Sequence, residues 1–127
     1  LEGMRVTLQN PVAVSGTNRF GEIFTVVDGG AGATGLSTRG TLNIGPDDFN
    51  PEKIQIDEAS GVFDFDFPVV DVNATLSNVT GVVGYSFGNY EVIPTEAFTV
   101  ESPSTLAPVT TTLQRGRRTL LVGSFNV

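Results

Sequence analysis

The sequence has no cysteine, no histidine and no tryptophan, and only one methionine and one lysine, Met4 and Lys53. Without cysteine there is no disulfide, thiol nucleophile, iron–sulfur cluster or zinc–thiolate site. Without histidine there is no Ser–His–Asp triad, no His-ligated metal and no imidazole general base. Any catalysis would rest on Asp, Glu, Tyr, Lys53 or Arg, which makes the chain a poor candidate for a complete enzyme. No apolar run approaches the roughly 20 residues of a membrane span, so no membrane contact is expected. The opening Leu1-Glu2-Gly3-Met4-Arg5 lacks the basic start and apolar middle of a secretory signal. It reads as cut from something longer.

What remains is 127 residues with 15 Gly, 7 Pro and 9 Phe, enough for one domain with a workable core. The net charge is −7, unevenly spread. Residues 1–113 hold four basic residues (Arg5, Arg19, Arg39, Lys53) against all 14 acids, a balance of −10. The other three, Arg115, Arg117 and Arg118, fall within one short stretch. So acidic a body repels phosphate backbones. It fits a salty or extracellular setting, or cation binding. The plainer reading is solubility.

Gly and Pro interrupt nearly every window, and the stretches between them are rich in Val, Ile, Thr and Phe, so little or no helix is expected. Strand signals recur at Met4–Leu8, Val12–Val14, Glu22–Val27, Lys53–Asp57, Val62–Phe67, Val79–Tyr85 and Tyr90–Ile93. In Val62–Phe67 three Phe alternate with two acids. Gly88-Asn89 suits a tight hairpin with Gly at its first turn position. Val69–Thr80, with six β-branched residues in twelve, reads as strand plus turn. Asp28–Gly40 is glycine-rich and reads as an exposed, mobile loop. Many short strands with Gly-rich turns predict an all-β fold, a small OB-like barrel or a β-sandwich. The predicted organisation is a β-rich domain over residues 1–100, a Ser/Thr/Pro-rich and then basic linker over 101–118, and a lone strand over 119–127.

Several groups of residues are candidates for chemistry. Gly30-Ala31-Gly32-Ala33-Thr34-Gly35 matches G-x-G-x-x-G, but the motif needs a helix next, and Leu36–Gly40 followed by Gly45-Pro46 will not form one. A flexible hairpin loop is the better reading. Asp64 and Asp66, or Asp47, Asp48, Asn50 and Glu52, have oxygen ligands for Ca²⁺. Their spacing departs from that of a calcium loop, and the plainer reading is a solvated face and a turn. Within that turn, Pro51 favours an extended Asn50. Asn73-Ala74-Thr75 and Asn78-Val79-Thr80 match glycosylation triplets of the kind that arise often by chance. Tyr85, Phe87 and Tyr90 cluster at the hairpin, where exposed aromatics stack nucleic-acid bases at about 1–3 kcal/mol each. The alternative is that they close the core or cover a barrel end. Arg115, Arg117 and Arg118 reach phosphate in one reading and solvate a linker in the other.

Three blocks carry a family resemblance. The opening Glu2-Gly3-Met4-Arg5-Val6-Thr7-Leu8, with Arg19-Phe20-Gly21-Glu22, is the first. Asp48–Asp57 together with Thr80–Thr95 is the second. The third is the end, Leu121-Val122-Gly123-Ser124-Phe125-Asn126-Val127. Together they resemble the noncatalytic β region immediately upstream of the catalytic domain in secreted bacterial nucleases of the endonuclease/exonuclease/phosphatase superfamily. The final block is similar to that catalytic domain's first strand, and Asn126 matches an Asn near its metal. The other catalytic residues of that superfamily have no counterpart here, and Asn126 alone cannot organise a metal or activate water.

The resemblance implies a secreted, noncatalytic accessory module that positions DNA or docks against the nuclease domain of the same parent chain. A structural spacer without a ligand and a Ca²⁺-stabilised β module are the alternatives. Residues 120–127, taken as a strand parted from its sheet, imply possible pairing with a second copy to give a dimer.

Overall fold

The computed structural model describes residues 1–59, 64–118 and 120–124. Eight strands form one curled half-barrel sheet. They are β1 (Arg5–Leu8), β2 (Val12–Ala13), β3 (Glu22–Val26), β4 (Ile54–Asp57), β5 (Thr75–Leu76), β6 (Val79–Ser86), β7 (Asn89–Pro94) and β8 (Val100–Ser102). Their spatial order is β1-β6-β7-β4-β3-β2-β5-β8. Every neighbouring pair is antiparallel except β4 and β7. Among the described residues the only helical turn is Asp28–Gly30. The all-β expectation therefore holds, as a half-barrel with β1 and β8 at its two edges.

The register explains the core. Ile23 of β3 stands opposite Ile56 of β4, and Ile56 stands opposite Val92 of β7. These three form an apolar row across the central strands, and Ile23 and Ile56 are wholly buried. Leu8, Leu76, Val79 and Phe98 complete the same cluster. Phe98 receives Phe67 and Phe65 edge-to-face, with centroids 5.3 Å and 6.2 Å away. The opposite face of β2 and β3 carries a second cluster of Val12, Val14 and Val26, covered by Ala33 and Leu42.

The Asp28–Gly40 loop is exposed over most of its length, as expected, and it is anchored to the body. The loop is tied down by Asp28 N donating to Gln9 O (2.8 Å), Gly29 N to Asn10 O (2.9 Å) and Asn43 N to Gly35 O (3.0 Å). No helix follows the glycine motif, as its sequence implied.

Three further expectations change. Asp64–Phe67 is not a strand, and Val62 and Phe63 lie outside the described residues. The period-two pattern there comes from the two rings packing on Phe98 while Asp64 and Asp66 face water. Pro68, which follows, has no N–H for a ladder. Asn50 has φ +53°, not an extended backbone. Asp48 Oδ1 accepts its N–H at 3.0 Å, and Asn tolerates the left-handed region better than most residues. The hairpin turn is Phe87-Gly88, one residue earlier than expected, because Ser86 pairs with Asn89 and Tyr85 with Tyr90.

The final strand, β8, runs to Ser102 by pairing with β5. Residues 120–124 form no strand here. Phe125, Asn126 and Val127 lie outside the described residues.

Gly81 on β6 leaves no room for a side chain against β7. A Cβ on it would stand 2.3 Å from the Ile93 carbonyl oxygen and 2.7 Å from a Val92 methyl. Gly81→Ala is expected to lower stability by about 1–3 kcal/mol, since backbone must move to admit the methyl. Ile56→Ala is expected to cost about 2–5 kcal/mol through the lost row contact and the cavity left behind. Urea unfolding midpoints measure both. A Gly81→Ala midpoint equal to that of the parent would refute the close approach.

Candidate functional site

The β6–β7 hairpin projects its aromatics into solvent. Tyr85, Phe87 and Tyr90 are 53%, 100% and 63% exposed, which excludes the reading that they close the core. Tyr85 and Tyr90 face each other across the two strands, with centroids 4.9 Å apart and planes tilted by 57°. Phe87 occupies the first turn position at φ +46°, followed by Gly88 at φ +85°. Positive φ at both central residues is what a two-residue hairpin turn requires to match strand twist. A bulky aromatic rarely adopts it, so Phe87 is held out at a conformational cost.

Two recesses flank this hairpin. On the inner face, Tyr90 lies at the edge of an apolar cleft of about 300 Å³ with Val6, Leu8, Ile54, Val83 and Val92. On the outer face a groove of about 550 Å³ is lined by Asn18, Phe20, Glu22, Asp57, Phe87 and Asn89, with Ala59 beside them. The turn that presents Phe20 is locally specified. Asn18 Oδ1 accepts from the N–H groups of Phe20 (2.8 Å) and Glu22 (3.1 Å), and Asn18 Nδ2 donates to Glu22 Oε2 at 2.5 Å. Gly21 closes the turn at φ +76°. The Arg19 guanidinium carbon stands 4.6 Å from the Phe20 ring centroid. A cation thus comes to the groove wall, although none is near the hairpin in sequence.

Glu22 stands directly opposite Asp57 on the outer face, and Gln55 stands opposite Glu91. Like charges in that position repel. Among the described residues the only ion pair is Arg5–Glu96, so neither Glu22 nor Asp57 is neutralised by one. Glu91 is buried and takes a hydrogen bond from Ser86 Oγ at 2.6 Å. Lys53, on the same face, lies over the Phe24 ring at 4.7 Å.

The other sequence candidates lie apart. Asp64 and Asp66 are exposed, and among the described residues no three His, Cys, Asp or Glu side chains converge as a metal cage. Arg115, Arg117 and Arg118 are exposed beyond β8, and Arg115 and Arg117 line a depression of their own. Asn126 lies outside the described residues.

The acids before β4 do structural work. The Thr34 hydroxyl donates to Asp48, while Glu52 Oε1 accepts from Thr34 N at 2.8 Å. This ties the glycine-rich loop to the turn before β4. The Thr34 hydroxyl, followed by the Asn50 N–H, holds the Asp48 carboxyl below its usual 3.8.

These features define a small all-β domain with an aromatic hairpin beside an acidic groove. The chain belongs to the family described as Domain of unknown function (DUF8508), whose model matches residues 1–104 and so ends just past β8. No curated protein and no solved structure matches it.

Because the folded-state value of Asp48 is lowered, its contribution to stability is present above the unfolded value. It is lost as pH falls from about 3.8 through the depressed value. Asp48→Asn is therefore expected to lower the melting temperature at pH 7, with the gap to the parent closing at acid pH. Melting curves from pH 7 to 2.5 test this, and a pH-independent gap would contradict it.

Proposed function

We propose that this domain is a noncatalytic accessory module of an extracellular, metal-dependent bacterial nuclease, and that it positions single-stranded DNA through the β6–β7 hairpin. The observation that carries the reading is the exposure of Tyr85, Phe87 and Tyr90 on one hairpin, the two tyrosines already in ring contact. Bases present a π-face whatever their sequence, so such a platform holds a strand without reading it. The resemblance of the Glu2–Leu8, Asp48–Asp57 and Thr80–Thr95 blocks to the region upstream of nuclease domains supplies the context. In this reading the domain brings the strand to a catalytic domain downstream in the same parent chain.

The charge makes the proposal specific. A protein that neutralises several phosphates loses affinity steeply with added salt, because counterions are released on binding. Here the three aromatics are uncharged, the hairpin carries Glu91, and the body is acidic. Affinity is therefore expected to be modest, with a shallow salt slope.

The test is fluorescence anisotropy of a labelled oligothymidylate at 20 and 150 mM salt. Tyr85→Ala or Tyr90→Ala should each weaken binding by roughly 5- to 150-fold, the equivalent of about 1–3 kcal/mol for one stacked base. Phe87→Ala should weaken it as well. No binding at either salt, or binding indifferent to both tyrosines, would overturn the stacking role. Docking against the catalytic domain would then be the function to pursue, a second reading favoured by the acidic groove.

A further inference from the structure

We propose that the outer-face groove between Phe20 and Phe87 is a docking site for an arginine side chain on a basic peptide segment of a partner protein. Glu22 and Asp57 would receive the guanidinium, and the two rings would flank it. This goes beyond the nucleic-acid reading and does not rest on it, since of the three aromatics of that reading only Phe87 lines this groove.

Three observations converge. First, Glu22 and Asp57 occupy directly opposed positions on β3 and β4, and among the described residues neither is in an ion pair. Both carboxylates accept hydrogen bonds from neutral donors, Asn18 Nδ2 on Glu22 and the Ala59 N–H and Gln55 Nε2 on Asp57, but the paired charge is not neutralised. A guanidinium presents five N–H groups in a planar fork, and carboxylates are its best partners. Second, the walls are aromatic and open. Phe20 is 64% exposed and Phe87 fully so. A planar cation gains from lying over a ring face, and arginine does so more readily than lysine. Arg19 already lies over the Phe20 ring from within the chain, an instance of the same contact.

Third, the groove is built. Asn18 holds Glu22 in place with a hydrogen bond, and Asp57 is fixed by the N–H of Ala59 on Oδ1 at 2.7 Å. At about 550 Å³ the groove has room for a side chain with part of its backbone. Asn89, which also lines it, offers an amide to that backbone. The charge of the body attracts such a segment before contact, because residues 1–113 carry −10.

The test uses the full chain and three fluorescein-labelled peptides of one length, carrying two arginines, two lysines or two citrullines between glycines. Citrulline keeps the shape of arginine and lacks its charge. The arginine peptide is expected to bind at least tenfold tighter than the lysine peptide, and the citrulline peptide not at all. Glu22→Gln and Asp57→Asn should each reduce arginine-peptide affinity about tenfold. Both variants keep the acceptor oxygen that holds the local turn, so folding is preserved and melting temperature checks it. Phe20→Leu, which keeps apolar bulk without a π-face, should reduce the preference for arginine over lysine. Glu101→Gln removes one charge away from the groove and should change little.

Equal affinity for the arginine and lysine peptides, with no response to Glu22→Gln or Asp57→Asn, would show general attraction to an acidic body and overturn the site. Self-association of the chain that disappears when Arg115, Arg117 and Arg118 are replaced by Gln would move the occupant to a second copy and overturn the foreign partner. The Tyr85→Ala/Tyr90→Ala double variant should bind the arginine peptide like the parent. Failure of one proposal is thereby separable from failure of the other.

Discussion

The row of Ile23, Ile56 and Val92 across β3, β4 and β7 holds this domain together. It spans the parallel pairing of β4 with β7 and joins two antiparallel units, which the rest of the core cluster and the short β1–β2 and β5–β6 links also connect. One unit is β1-β6-β7 and the other is β4-β3-β2-β5-β8. Parallel neighbours need a long crossover, and here the chain between β4 and β7 supplies it by building β5 and β6 on the way. Burial of each large aliphatic side chain is worth about 1.5–3 kcal/mol. The row concentrates that gain at the seam where no hairpin connection helps.

The curl that buries this row puts Glu22 and Asp57 on the reverse of the same strands, away from the part that Ala33 and Leu42 cover. Ile23 and Ile56 point inward, so their neighbours Glu22 and Asp57 must point outward and meet there. The acidic groove is thus a direct consequence of the core register. Shifting β3 by one residue against β4 would lose both together. The Phe20 turn and the Phe87 turn each add a ring at the rim, one held by Asn18 and the other by the two-residue hairpin.

Much of the fold was legible in the sequence because clean alternation marks strands whose faces differ. Met4–Leu8, Glu22–Val27 and Lys53–Asp57 lie within a residue of β1, β3 and β4. Alternation misled at Asp64–Phe67, where rings gather on Phe98 without a ladder. It could not fix the hairpin either. Gly88 was the right landmark, but the pairing of Tyr85 with Tyr90 decided which residue preceded it in the turn. The hairpin aromatics were legible as a cluster, and their exposure was not, because Phe and Tyr are buried more often than not. The groove was hidden altogether. Glu22 and Asp57 become neighbours only through strand pairing, and Phe20 and Phe87 only through the curl of the sheet.

The two-residue turn between Tyr85 and Tyr90 has a consequence for how this domain tolerates change in length. Side chains alternate along each strand, so Tyr85 keeps the face of Val83 and Tyr90 that of Val92, whatever the turn between them. A residue added there lengthens the loop, and hairpins close with three-residue loops as well as two. Added length at this tip therefore displaces Phe87 while the tyrosine pair stays on one face.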